Sequence, residues 1–104
     1  RLSRRQRQMC IRDRFRTAWR EYGLPRVAGF RPDLLLVSAG FDAHERDPLG
    51  QLRLQDDDYY WITTEIRAIA ERLCDGRIVS LLEGGYDLDA LATASAAHVG
   101  ALTA

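Results

Sequence analysis

The feature that most constrains the fold is an apolar run that leads directly into a loop of acidic residues. Residues 34 to 37 are three leucines and a valine, a pattern typical of a strand covered on both faces in a parallel sheet. Ser38, Ala39 and Gly40 follow with small side chains, which leave space for an approach to the backbone. A second run of this kind, IVSLL at residues 78 to 82, ends at two glycines. The sequence therefore predicts two buried strands, each followed by a loop.

Helical patterns precede and follow these strands. The aspartates at residues 56 to 58 are favoured at the start of a helix, because they cap free amide groups and face the positive end of the helix dipole. Two apolar stripes at helical spacing follow, at Ile62, Ile66, Ile69 and Leu73 and at Leu88, Leu91, Ser95, Val99 and Leu102. Upstream, a helix is predicted from residue 15, interrupted by Gly23 and Pro25. The order strand, helix, strand, helix predicts an α/β fold, a βαβα unit with parallel strands.

Both predicted loops carry polar residues that could form a site. The carboxyl ends of parallel strands lie at one edge of a sheet, so the two loops should meet there. The residues expected to converge are Asp42, His44, Glu45 and Asp47 with Glu83, Gly84, Gly85 and Tyr86. Carboxylates and an imidazole suit zinc or a similar divalent ion, and a phenol can donate to a developing oxyanion. Acids and glycines also occur in loops that only make turns, so spacing alone leaves both interpretations open.

Charge is distributed unevenly along a chain that is neutral overall. Eight of the 15 arginines lie in the first 20 residues. Residues 1 to 14 lack apolar periodicity, and QMCIRD resembles a translated sequencing adapter, so this segment is predicted to be disordered or foreign, with the domain at residues 15 to 104. Neutrality gives no reason to expect direct nucleic-acid binding, and no apolar run could span a membrane. The isolated Cys10 and Cys74 favour a reducing compartment, taken here as the cytoplasm, and argue against a thiolate zinc site.

Two segments resemble the C-terminal signature of a known enzyme family. SAGFDAHERDPLG at residues 38 to 50 and GRIVSLLEGGYDLDALA at residues 76 to 92 are similar to the histone deacetylase and acetylpolyamine amidohydrolase family. The LEGGY form resembles class II and bacterial members. The resemblance implies the C-terminal βαβα part of an arginase/deacetylase-type fold, with an eight-stranded parallel sheet and helices on both faces. It also implies one zinc ion, held by two aspartates and one histidine.

The resemblance assigns roles to five residues. Asp47 matches the family's last zinc ligand, and Tyr86 matches the tyrosine that donates to the substrate carbonyl. Gly84 and Gly85 match the glycines that line the acyl channel, and Leu49 matches a position at the mouth of that channel. These residues are therefore the predicted metal-binding, catalytic and substrate-binding positions.

Asp42 and His44 require a separate interpretation, because Asp42-Ala43-His44 has the Asp-x-His form of the family's other two zinc ligands. In the family that pair follows an earlier strand of the domain. Asp42 is therefore predicted to structure the loop, and His44 is predicted to lie at the rim of the site without binding metal.

The activity implied by the resemblance is removal of an acetyl or acyl group from acetylated lysine, a polyamine or another small acylated amine. The family's other zinc ligands, and the tandem histidines that transfer the proton, are not found in these 104 residues. The chain alone is therefore expected to be inactive. The competing interpretation is a small, non-catalytic α/β binding module.

Overall fold

Helices and strands alternate along the part of the chain that the structure, a computed structural model, describes: residues 4 to 47 and 53 to 104. The elements are α1 (Arg4–Ala18), a π-helical turn (Trp19–Gly23), α2 (Leu24–Phe30), β1 (Leu35–Ala39), α3 (Asp56–Leu73), β2 (Ile78–Leu82) and α4 (Leu88–Thr103). Within these residues, no helix combines the length and the apolar character needed to cross a membrane.

β1 and β2 pair in parallel, with Leu35 opposite Ile78, and α3 is the connection between them. This arrangement confirms the predicted α/β fold and its parallel βαβ unit. Successive side chains of a strand point to opposite faces. Leu36 and Leu81 are exposed on one of these faces. On the other face Ala39 is buried, Leu35, Val37 and Ile78 are half-buried, and Leu82 is exposed. Among the described residues, the predicted burial of both strands is therefore reached only in part.

The buried core lies at the carboxyl ends of the strands. We call residues 40 to 55, between β1 and α3, the first loop, and residues 83 to 87, between β2 and α4, the second loop. The core cluster consists of Ala39, Phe41, Leu54, Tyr59 and Ala94. Because two of these residues belong to the first loop, apolar packing holds that loop against α3 and α4.

The N-terminal segment is helical from Arg4 onward, so the prediction of disorder for residues 1 to 14 is wrong for residues 4 to 14. The physical reason is an ionic anchor that local sequence does not reveal. Arg12 Nε lies 2.7 Å from Asp58 Oδ2, and Arg16 Nε lies 2.9 Å from Asp58 Oδ1. Whether this segment is foreign to the natural protein stays a prediction.

The sequence predicts that Gly23 and Pro25 interrupt the helix. In the structure they do not, because α1 continues through the π-helical turn into α2. A Cβ at Gly23 would collide with the Trp19 ring, so glycine allows the ring to lie over this turn. Pro25 follows directly after the π-helical turn, in which Leu24 N–H donates to the Trp19 carbonyl five residues earlier. Both residues are therefore accommodated within one continuous helical segment.

The start of α3 confirms, for Asp58, the capping function predicted for the acidic triplet. Gln55 is the N-cap residue, and a capping box links it to Asp58: the Asp58 carboxylate accepts from Gln55 N–H at 2.9 Å. Asp58 is fully buried and also accepts from Arg12 and Arg16. This one carboxylate thus caps α3 and docks α1 onto it.

We expect Asp58→Ala to lower the free energy of unfolding by about 2–4 kcal/mol, because it removes a capping bond and two charge-assisted hydrogen bonds. Asp57→Ala is the matched control: Asp57 also contacts Arg12, at 2.8 Å, but it is exposed. Its removal should cost less than about 1 kcal/mol. Urea unfolding of both variants checks the difference, and equal costs would contradict the role given to Asp58.

The buried face of α4 differs from the predicted stripe. The residues that α4 buries are Ala90, Ala94, His98 and Ala101, whereas Leu88 and Val99 of the predicted stripe are exposed. Small side chains let two helices approach closely, and α4 packs extensively on α3. The alanine face of α4 is therefore the face that packs on α3. The predicted stripe was wrong because it followed the large aliphatic side chains.

His98 is a buried histidine held between two hydroxyl groups. Its Nδ1 lies 2.7 Å from Thr63 Oγ1 of α3, and its Nε2 lies 2.8 Å from Ser80 Oγ of β2. The Phe41 and His98 rings pack in a T-shaped arrangement, with 5.8 Å between ring centroids. Burial lowers the pKa of His98 from its ordinary value.

This lowered pKa predicts a loss of stability in mild acid. The unfolded chain, with a histidine pKa of about 6.5, binds the proton more readily than the folded chain. The contribution of His98 is thus fully present above that pH and is lost as the pH falls through the lower folded pKa. We expect His98→Gln to show a shallower decline in unfolding free energy below pH ~6.5. Urea unfolding across this range tests it; an unchanged slope would contradict it.

Candidate active site

Backbone hydrogen bonds bring the two loops together at the carboxyl edge of the sheet. Glu83 N–H donates to the Ala39 carbonyl at 3.0 Å, and Phe41 N–H donates to the Gly84 carbonyl at 2.8 Å. These bonds continue the pairing of β1 and β2 past the strand ends. The convergence predicted from the parallel topology is therefore present.

The first loop is closed on itself by a short bridge. Leu54 N–H donates to the Ala43 carbonyl at 2.8 Å, and Glu45 N–H donates to the Leu54 carbonyl at 2.7 Å. Leu49 lies outside the described residues, so its predicted place at the channel mouth stays a prediction.

Asp47 and Tyr86, the predicted zinc ligand and the predicted catalytic tyrosine, are in direct contact. Asp47 Oδ2 accepts from Tyr86 N–H at 2.7 Å. The Asp47 residue is only 5% exposed, whereas Tyr86 is 55% exposed. A buried carboxylate thus holds the backbone of a tyrosine whose side chain is accessible.

Gly84 and Gly85 each have a packing reason to be glycine. A Cβ at Gly84 would lie 3.1 Å from Asp42 Oδ2, and one at Gly85 would lie 3.0 Å from Leu91 Cδ1. Gly85 also has φ of +141°, a backbone conformation that favours glycine. These contacts account for both glycines without a substrate, and their predicted role in lining an acyl channel stays a prediction.

Asp42 lies between the two loops. Its carboxylate oxygens face Gly84 from the second loop and Gly40 from the first, where a Cβ would lie 3.1 Å from Oδ1. This position agrees with a residue that structures the loop, as the sequence predicts.

His44 is buried, so the prediction that it lies at the rim is wrong. Its Nε2 lies 3.0 Å from Asp56 Oδ1, and its Nδ1 accepts from Arg46 N–H at 3.2 Å. Both ring nitrogens therefore form hydrogen bonds, and these bonds hold the imidazole in its buried position. In this geometry neither nitrogen is available as a metal ligand.

Tyr59 is a buried residue beneath the first loop that sequence reasoning did not single out. Its ring packs against Phe41, with 5.1 Å between centroids. Among the described residues, its hydroxyl is the only buried side-chain polar group without a hydrogen-bond partner; the Ala43 backbone lies near it without completing a bond. Burial, followed by the nearby carboxylate of Asp42, raises the pKa of Tyr59, so the phenol stays protonated. Its position in the predicted helix gave no signal of this environment.

The described residues do not by themselves fit a zinc site. No group of three or more histidine, cysteine, aspartate or glutamate side chains in residues 4 to 47 and 53 to 104 is arranged to hold a metal ion. Asp47 offers a carboxylate, a suitable zinc ligand, but structural and catalytic zinc sites use at least three protein ligands. This chain can therefore contribute to such a site but not complete it.

A parallel sheet with polar loops at its carboxyl edge defines an α/β protein of the class that binds ligands at that edge. Comparison with known proteins identifies the family: the profile described as histone deacetylase domain matches residues 5–102. The chain belongs to the histone deacetylase family, which confirms the resemblance of the two signature segments.

Relatives occur in eukaryotes and bacteria. The chain is 44% identical over 80 residues to type-2 histone deacetylase 1 of Dictyostelium discoideum, covering 77% of this chain and 5% of the relative. It is 43% identical over 81 residues to the chloroplastic histone deacetylase 14 of Arabidopsis thaliana, and the match covers 78% of this chain and 19% of the relative. A histone deacetylase-like amidohydrolase of Pseudomonas aeruginosa is 40% identical over 74 residues, covering 71% and 20%. Bacterial origin of this chain stays a prediction.

Solved structures share the fold. The crystal structure of the HDA15 HD domain matches with a TM-score of 0.79 and 31% identity, covering 88% of this chain and 25% of that chain. The structure of the histone deacetylase Clr3 matches with a TM-score of 0.73 and 36% identity, covering 82% and 14%. The chain thus spans a quarter or less of the length of each of these proteins.

Proposed function

We propose that this chain is the C-terminal portion of a zinc-dependent deacetylase domain that hydrolyses acetylated lysine or another acylated amine. The observation that carries the proposal is the contact between Asp47 Oδ2 and Tyr86 N–H. It joins the two residues to which the family resemblance gives chemical roles. A binding module without catalysis could use the buried Asp47 carboxylate to hold the loops together, but it would not need the exposed phenol of Tyr86.

In the proposed function, Asp47 supplies one of the zinc ligands of the complete domain. The other ligands, and the histidines that transfer the proton, come from outside these residues. Tyr86 donates its phenol hydrogen to the oxygen of the substrate carbonyl, where negative charge develops during hydrolysis. Its exposed side chain is free to reach that oxygen, while its backbone is held by Asp47.

The substrate is proposed to be an acetylated lysine side chain or a small acylated amine. Leu49 provides no carboxylate to attract the second charge of a polyamine, and this favours lysine-type substrates over acetylpolyamines. Cytoplasmic location is part of the proposal, because Cys74 is buried and unpaired. Neither nucleic acid nor membrane is a proposed partner, and net charge is zero.

The test uses the complete domain that contains this chain. We expect it to deacetylate an acetyl-lysine peptide, to lose activity on treatment with a chelator and to regain it with zinc. The 104-residue chain by itself should show no turnover and bind zinc weakly, since one carboxylate cannot replace three ligands. A complete domain without hydrolase activity would favour the binding module, and zinc-dependent turnover by the chain alone would contradict the division of the site.

A further inference from the structure

His44 holds the turn that leads to Asp47 by hydrogen bonds from its side chain. Arg46 N–H donates to His44 Nδ1, so Nδ1 carries no hydrogen and Nε2 carries one. The Nε2–H then donates to Asp56 Oδ1 at 3.0 Å. A hydrogen bond from the backbone N–H of residue i+2 to the side chain of residue i closes a turn, as in an Asx turn. The imidazole thus closes the turn with one nitrogen and anchors it with the other.

The backbone of His44 belongs to the same turn. Asp47 N–H donates to the His44 carbonyl at 3.0 Å, and His44 N–H donates to the Phe41 carbonyl at 3.4 Å. The amides of Arg46 and Asp47 therefore both donate to His44. A change in the position of this residue changes the direction in which the chain reaches the Asp47 carboxylate.

Two helices anchor the imidazole from outside the loop. Asp56 is the first residue of α3, and its Oδ1 also accepts from Thr93 Oγ1 of α4 at 3.0 Å. The His44 ring stacks on Tyr59 of α3, with 6.5 Å between centroids and 11° between planes. His44 itself is only 2% exposed, whereas the Asp56 side chain is partly exposed.

We propose that His44 is a positioning residue, which fastens the turn of residues 44 to 47 to α3 and so directs the Asp47 carboxylate toward Tyr86. This inference rests on the proposed function, in which Asp47 is a metal ligand. Groups that orient a ligand from outside the metal site typically change metal affinity or activity by about 10–100-fold when they are removed. His44 has the contacts of such a group.

The experiment compares three variants of the complete domain. His44→Leu fills the buried space with an apolar side chain and removes both side-chain hydrogen bonds. His44→Asn retains an oxygen that can accept from Arg46 N–H but cannot reach Asp56. The matched control is His98→Leu, which removes another buried histidine with two hydrogen bonds; its ring contacts Phe41 but no residue of the turn from 44 to 47. Measurements are the zinc dissociation constant, hydrogen exchange of the Tyr86 amide and the Tm.

We expect His44→Leu to weaken zinc binding by about 10–100-fold. Exchange of the Tyr86 amide, which donates to Asp47, should become faster by about tenfold or more as the carboxylate loses its fixed direction. His44→Asn should fall between wild type and His44→Leu in both measurements. His98→Leu should lower the Tm and leave zinc affinity and Tyr86 exchange unchanged.

Wild-type zinc affinity and wild-type Tyr86 exchange in His44→Leu, with only the Tm lowered, would overturn the inference. Should His44→Leu fail to fold, wild-type values in His44→Asn would overturn it equally. If the wild-type domain binds no zinc, the proposed function is wrong, and Tyr86 amide exchange still decides whether His44 directs Asp47.

Discussion

Replacing Asp47 with asparagine should remove most of the zinc from the complete domain. Asparagine keeps the size of the side chain and an oxygen that can accept from Tyr86 N–H, so the contact between the loops can persist. The charge that attracts the metal is lost. Since removal of groups outside a metal site already costs about 10–100-fold, we expect loss of a direct ligand to weaken zinc binding by more than about 100-fold. Metal analysis and steady-state kinetics check the result.

Asp42→Asn is the matched control for that experiment. Asp42 lies in the same loop, but its carboxylate packs against Gly40 and Gly84. An asparagine of equal size should preserve this packing, so zinc content should remain near that of the wild type. Full zinc occupancy in Asp47→Asn, together with its loss in Asp42→Asn, would show that the ligand is the other aspartate.

Replacing Tyr86 with phenylalanine should lower turnover by about 10²–10³-fold, the usual cost of removing one oxyanion donor. The variant lacks only the phenol oxygen. Its backbone N–H can still donate to Asp47, so the loop geometry and zinc content should be unaffected. The decrease should appear in kcat more than in KM, because the charge on the carbonyl oxygen develops in the transition state.

Tyr60→Phe provides the comparison for Tyr86→Phe. Tyr60 is also an exposed tyrosine, but it lies on α3. We expect its variant to have wild-type turnover. Equal turnover in Tyr86→Phe and the wild type would remove Tyr86 from the catalytic mechanism, and a loss of zinc in Tyr86→Phe would assign it a structural role instead.

The features that could be predicted from sequence are those that local pattern and chain chirality determine. Two apolar runs separated by a helical stripe suffice to specify a parallel βαβ unit, and parallel strands necessarily place both following loops at one edge. The proximity of the loops that carry Asp47 and Tyr86 follows from this topology. Their chemical roles do not, because those roles come from the resemblance to a family and stay predictions.

The features that were missed depend on contacts between distant parts of the chain. Arg12 and Asp58 are 46 positions apart, and nothing in the arginine-rich segment indicates that a buried acid will anchor it. On α4, large aliphatic residues suggested the wrong face, since hydropathy gives little weight to the alanines that permit close helix packing. The burial of His44 likewise depends on Asp56, which local pattern assigns only to capping.

The position of the Asp42 carboxylate between Gly40 and Gly84 has a consequence for how the sequence can vary. Each glycine leaves room for the same carboxylate, although the two glycines belong to different loops. A larger residue at either position would need a smaller residue at position 42. Among related sequences these three positions should therefore change together, and either loop transplanted alone onto another sheet would lack the counterpart that its shape requires.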